Sequence, residues 1–123
     1  MILVDTSVWI DHFRQGDVEL TRLLNSGQVL THRFVIGELA LGNIQNRSFI
    51  ISTLQNLPQA TAASDEEVLR FIDSHALFGS GIGYIDAHLL AATLLSHGSF
   101  LWTRDKRLLA ESVRLGVCVN LTH

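Results

Sequence analysis

Four carboxylates, Asp5, Glu38, Asp86 and Asp105, stand where their charge calls for an explanation. Asp5 ends the apolar run Ile2-Leu3-Val4 and precedes Thr6-Ser7, and Asp105 follows Phe100-Leu101-Trp102-Thr103-Arg104 in the same manner. An unbroken apolar triplet suits a strand buried on both faces, so each acid falls where a strand hands over to a helix. In a parallel sheet such junctions share one edge, the edge at which open α/β sheets bind ligands, and the two acids converge if their strands are neighbours. Each acid alone has a plain account, because Asp is common at helix starts and Thr6 or Ser7 can cap the helix after Asp5.

Glu38 is more telling. Its neighbours at i±3 and i±4 are Phe34, Val35, Leu41 and Gly42, which places a carboxylate in the apolar stripe of its own helix. Burying an unpaired carboxylate costs several kcal/mol, so either a buried salt bridge or a metal or catalytic role is expected there. Asp86 opens the most hydrophobic helix of the chain, where the helix dipole alone, worth ~0.3–1 kcal/mol, accounts for it.

Gathered together, four carboxylates repel one another and need cations to be tolerable. Oxygen-only ligands select hard ions, Mg²⁺ or Mn²⁺, over zinc. Such a centre suits phosphodiester hydrolysis, in which a metal lowers the pKa of the attacking water and stabilises the leaving oxygen. Arg104, Lys106 and Arg107 crowd a helix start, the end where the dipole disfavours cations, and together point to a phosphate-bearing ligand. No Ser-His or Cys-His couple stands at a spacing that suggests a nucleophile.

The elements that must position these acids follow from periodicity and punctuation. Helices are expected over Ser7 to Arg14, closed by Gly16, and from Asp17 through Leu24, closed by Asn25-Ser26-Gly27. Further helices run from Arg33 to Leu41, Arg47 to Leu57 ahead of Pro58, Tyr84 to His97 and Asp105 to Leu115. Ser64-Asp65-Glu66-Glu67 reads as a capping box opening a helix through Ala76, which explains Glu66 and Glu67 without catalysis. Strands are expected at Ile2 to Val4, Gln28 to Thr31, Phe100 to Trp102 and Val117 to Val119, with a weak edge strand at Gln59 to Ala63. The glycines between Gly79 and Gly83 form a loop, matching neither a P-loop nor a dinucleotide fingerprint. Alternating short strands and helices give a parallel, three-layer α/β/α sheet.

At 123 residues and 47% hydrophobic content the chain suits one compact domain, residues 1–123, without linker or repeat. No apolar run nears the ~18 residues needed to span a bilayer, and no signal peptide opens the chain, so a cytoplasmic protein is expected. Cys118 lies in an apolar run as a small core residue. The formal charge of −3 looks wrong for a nucleic-acid binder, yet with four of the twelve acids neutralised by metal, nine bases face eight acids. Asp11 reads as a solvent-facing structural residue, His88 as a core or interface residue, and Trp9, Phe13, Phe34, Phe71 and Trp102 as core.

The motifs Val4-Asp5-Thr6-Ser7-Val8-Trp9-Ile10-Asp11, Val35-Ile36-Gly37-Glu38-Leu39 with Gly42, Gly83-Tyr84-Ile85-Asp86-Ala87-His88-Leu89-Leu90-Ala91 and Trp102-Thr103-Arg104-Asp105 together resemble the PIN-domain family. The chain looks in particular like the VapC-type toxins of bacterial toxin–antitoxin pairs. The resemblance implies a five-stranded parallel sheet, Rossmann-like in outline, and a Mg²⁺-dependent (or Mn²⁺-dependent) endoribonuclease site. Asp5, Glu38, Asp86 and Asp105 occupy the family's acidic positions, and Thr6 and Thr103 match positions that place a hydroxyl beside them. RNA as substrate, a cognate antitoxin filling the active-site groove and a homodimer are implied likewise. Arg33, ahead of the Glu38 helix, departs from the uncharged residue the family pattern leads us to expect. A competing reading is a phosphoacceptor receiver domain with an acidic Mg²⁺ pocket, although such domains want an acidic pair after the first strand and a lysine after the last. A small-molecule metal phosphatase, or a domain that only holds a cation, is a third.

Overall fold

The computed structural model describes residues 1–121. Its sheet is built on β1 (Ile2–Val4), which lies between β2 (Val29–Leu30) and β3 (Phe100–Trp102), all parallel. The register pairs Leu3 with Leu30 on one side and with Leu101 on the other. Leu3 and Val4 point to opposite faces of the sheet and both are wholly buried, so helices cover both faces of the central strand.

Five strands were expected, and among the described residues the sheet has three, each edge being extended by a single parallel bridge. Thr31 pairs with Gln59 beyond β2, and Leu101 pairs with Cys118 beyond β3. The two expected edge strands are thus reduced to one paired residue each. After Gln59 the run Ala60-Thr61-Ala62-Ala63 offers too little β-branched bulk to extend the pairing.

Among the described residues, seven helices follow the expected punctuation: α1 (Thr6–Gln15), α2 (Val18–Asn25), α3 (Arg33–Leu41), α4 (Arg47–Gln55), α5 (Asp65–Ser74), α6 (Tyr84–Leu95) and α7 (Lys106–Arg114). Asp17 caps α2 by accepting from the Leu20 N–H at 2.9 Å. Ser64 and Glu67 form the expected capping box of α5, with bonds of 3.1 and 2.9 Å. The cap of α3 is His32, whose Nδ1 accepts from the Phe34 N–H at 3.0 Å. Residues Ala87 to Thr93 of α6 are all buried, as a helix apolar on nearly every side should be.

The start of α1 departs from expectation in a way that bears on the site. Neither Thr6 nor Ser7 caps it, because both already lie within the helix. Asp5 is the N-cap residue, and its carboxylate makes no cap bond. That side chain is left for other partners.

Candidate active site

The register decides the first contact. Val4 pairs with Trp102, so the next residues, Asp5 and Thr103, face each other where the two strands end. Thr103 Oγ1 donates to Asp5 Oδ2 at 2.7 Å, and Ser7 Oγ donates to the same oxygen at 2.8 Å. Each hydroxyl in turn accepts a backbone N–H, Thr103 from Asp105 at 3.1 Å and Ser7 from Arg104 at 3.0 Å. Two short relays therefore run from backbone amide through hydroxyl to one carboxylate oxygen, and such chains strengthen each bond in them. They make a carboxylate only 5% exposed tolerable and fix its orientation.

The other three acids are held in the same style. Glu38 Oε1 accepts from Thr6 Oγ1 at 2.8 Å, Asp86 Oδ2 from the Gly83 N–H at 3.2 Å, and Asp105 Oδ1 caps α7 through the Leu108 N–H at 3.0 Å. One oxygen of every acid is thus taken by the protein. The other oxygens, Asp5 Oδ1, Glu38 Oε2, Asp86 Oδ1 and Asp105 Oδ2, receive no protein donor among the described residues.

The four acids feel one another. Burial pushes the Asp86 carboxyl above the usual Asp range, the Gly83 N–H opposes this, and the charges of Asp5, Asp105 and Glu38 push it further up. No group of three or more His, Cys, Asp and Glu side chains among the described residues is gathered closely enough to hold a metal ion as it stands. The donor set, four hard carboxylate oxygens oriented by hydroxyls and amides, fits a hard divalent cation and offers nothing to a soft one.

A raised pKa on Asp86 has a stability consequence. The folded state binds the proton more readily than the unfolded one, so this carboxyl disfavours folding above the ordinary Asp range and the penalty fades as pH falls. Asp86→Asn is accordingly expected to raise the melting temperature of metal-free protein at pH 7 by a few degrees. The difference from the unsubstituted protein should shrink when melting is repeated in millimolar Mn²⁺, which offsets the repulsion in the parent chain.

Several sequence expectations need correction. Glu38 is exposed, not buried in an apolar stripe, and its partner is the Thr6 hydroxyl, not a buried Arg or Lys. Arg104, grouped with Lys106 and Arg107 as a phosphate contact, pairs one N–H of each Nη with an acid, Asp11 at 2.6 Å and Asp17 at 2.5 Å, and its side chain stays 36% exposed. Arg107 lies against Gly81, where an added Cβ would stand 3.0 Å from its side chain. Lys106 alone of the three has no hydrogen-bond or ion-pair partner among the described residues. Asp11, taken as solvent-facing, is half-buried in its pairing with Arg104. His88 is fully buried as expected, its Nε2 3.0 Å from Asp65 Oδ1. Arg33 lies over the Phe34 ring at 4.9 Å.

Ser7 was missed as a site residue, because from the sequence it reads as a cap. The signal was its place two residues after Asp5, combined with a strand register that only pairing reveals. A groove of about 650 Å³ opens beside Glu38, lined by Ile10, Phe13, Arg14, Asn43, Asn46 and Ile50 among others, and Glu38 is the one acid of the four that reaches it.

A model of the PIN domain matches residues 2–112. Ribonuclease VapC32 of Mycobacterium tuberculosis, from strain CDC 1551 / Oshkosh and again from strain ATCC 25618 / H37Rv, is 46% identical over 119 residues, spanning 97% of this chain and 96% of the relative. The chain is a PIN domain of the VapC ribonuclease family. The crystal structure of PAE2754 from Pyrobaculum aerophilum superposes with a TM-score of 0.63 over 94% of both chains at 19% identity, which supports the fold of this PIN domain. PIN nucleases of this family are generally metal-dependent phosphodiester hydrolases, and membership sets the receiver-domain reading aside. No helix of this PIN domain among the described residues is long and apolar enough to cross a membrane.

Proposed function

We propose that this PIN domain is a Mg²⁺- or Mn²⁺-dependent endoribonuclease toxin whose metal ligands and catalytic residues are Asp5, Glu38, Asp86 and Asp105. The observation that carries the reading is that each of these acids keeps one oxygen without a donor among the described residues while its other oxygen is pinned. A divalent ion held there would supply an acidified water and offset charge on the scissile phosphate. Thr103 and Ser7 keep Asp5 aimed, Thr6 does the same for Glu38, and burial strengthens the two bonds to Asp5. Lys106 is the cation we assign to an RNA phosphate. Thr6 and Thr103 act through the acids they touch.

On the same reading, residues 1–123 form one domain that works in the cytoplasm as a homodimer, with a cognate antitoxin as partner. The single bridges at Gln59 and Cys118 are then the reduced edge strands of a five-stranded family sheet. The named activity of the M. tuberculosis relative supports RNA as substrate.

The experiment is cleavage of a labelled single-stranded RNA by purified protein with Mg²⁺ or Mn²⁺ and with excess EDTA, beside turnover of a generic phosphomonoester. Cleavage of RNA that EDTA abolishes and added ion restores is expected. Undiminished cleavage in EDTA, or turnover of the phosphomonoester alone, would overturn the proposal.

A further inference from the structure

Arg104 belongs by sequence to a basic flank, but its surroundings give it another task. Its guanidinium is divided between two carboxylates, Nη1 meeting Asp11 Oδ2 and Nη2 meeting Asp17 Oδ2, and it lies 5.6 Å from the centre of the Trp102 ring. Asp11 belongs to α1 and Asp17 caps α2, whereas Arg104 sits in the turn between β3 and α7. One side chain therefore fastens the turn that carries Thr103 and Asp105 to the helix that follows Asp5. From the same residue, the backbone N–H donates to Ser7 Oγ, and the Ser7 hydroxyl donates in turn to Asp5 Oδ2.

The charge balance argues in the same direction. One cation faces two anions, so the cluster is net negative where a phosphate would approach. An RNA contact that drew this guanidinium away from its place would break two charge-assisted bonds, the strong kind of protein hydrogen bond. A planar fork between two carboxylates is also a task that lysine performs poorly.

We propose that Arg104 is a positioning residue for the nuclease reaction, acting through Ser7 on Asp5 and not on RNA. This rests on the nuclease reading given above. Without the clamp the turn is free to shift, and Ser7 loses the N–H that orients its hydroxyl against Asp5. Outer-shell partners of metal-binding carboxylates typically change activity by about 10- to 100-fold when removed.

The test compares Arg104→Ala, Arg104→Lys and the double variant Asp11→Asn/Asp17→Asn in the full chain, well below their melting temperatures. Steady-state RNA cleavage is measured, and RNA binding is measured as a function of salt. We expect kcat to fall about 10- to 100-fold in Arg104→Ala and in the double variant, with KM and the salt slope of binding unchanged and partial recovery in Arg104→Lys. A phosphate contact predicts instead a higher KM and a salt slope lower by about one in Arg104→Ala, with the double variant binding RNA more tightly through its freed guanidinium. That pattern overturns the proposal, and so does wild-type kcat in both variants. Amide exchange at Arg104, followed by NMR, needs neither RNA nor metal. It should quicken in the double variant, and unchanged protection would count against the clamp even if the wild-type protein proved to cleave no RNA, a result that would sink the nuclease reading separately.

Discussion

Asp5→Asn is expected to reduce RNA cleavage by about a thousandfold while the protein stays folded. A loss of that size corresponds to roughly 4 kcal/mol of transition-state stabilisation, within reach of a group that holds a metal and shapes its field. The amide keeps the shape of the carboxylate and still offers one carbonyl oxygen to the Ser7 and Thr103 hydroxyls, so both relays survive. What goes is the negative charge, and with it much of the attraction for a hard cation. Removing that charge also relieves Asp86, whose carboxyl the Asp5 charge helps push up, so the metal-free variant should melt no lower than the parent. Asp5→Ala should behave differently, because two hydroxyls lose their common acceptor, at a cost of about 1–3 kcal/mol for each group left unsatisfied in a buried setting. Parallel thermal melts and RNA cleavage assays check both claims. Near-normal cleavage by a folded Asp5→Asn protein would remove Asp5 from the reaction.

The strand–acid–helix pattern at Asp5 and Asp105 was legible because it depends only on local sequence and on the rule that parallel strands share a carboxyl edge. Capping signals placed α2 and α5 for the same reason: the residues that start a helix are its own neighbours. Glu38 was picked out by an argument that fails on inspection. The apolar residues around it do not make one buried stripe, since Val35 and Leu39 are buried but Leu41 is 90% exposed. Amphipathic reasoning assumes that apolar means inward, and α3 presents apolar residues to both core and surface. The Arg104 clamp joins residues 93 and 87 positions apart, and no periodicity connects such positions. Ser7 needed the strand register, and His32 drew no expectation because a lone histidine at a helix start carries no spacing signal.

His32 supplies the second large effect. It is 1% exposed, its Nδ1 accepts the Phe34 N–H that caps α3, and its buried Nε2 has no hydrogen-bond partner among the protein groups. Burial, assisted by the charges of Arg33 and His88, lowers its pKa from 6.5 to about 4. Protonation at Nδ1 would also abolish the cap of the helix that carries Glu38. The sign follows from proton counts. Below pH 6.5 the unfolded chain takes up a proton at this residue and the folded one does not until about pH 4, so stability present at neutral pH is lost as pH falls through that window. The loss should reach about 3 kcal/mol by pH 4, the product of the shift and the ~1.36 kcal/mol per pKa unit. Urea unfolding at pH 7, 5.5 and 4 measures it. His32→Asn keeps a residue that caps well and removes the titrating group, so the variant should start less stable at pH 7 but lose much less on acidification. If wild type and variant decline in parallel between pH 7 and 4, His32 is not the group that titrates, and the acid sensitivity of α3 must have another source.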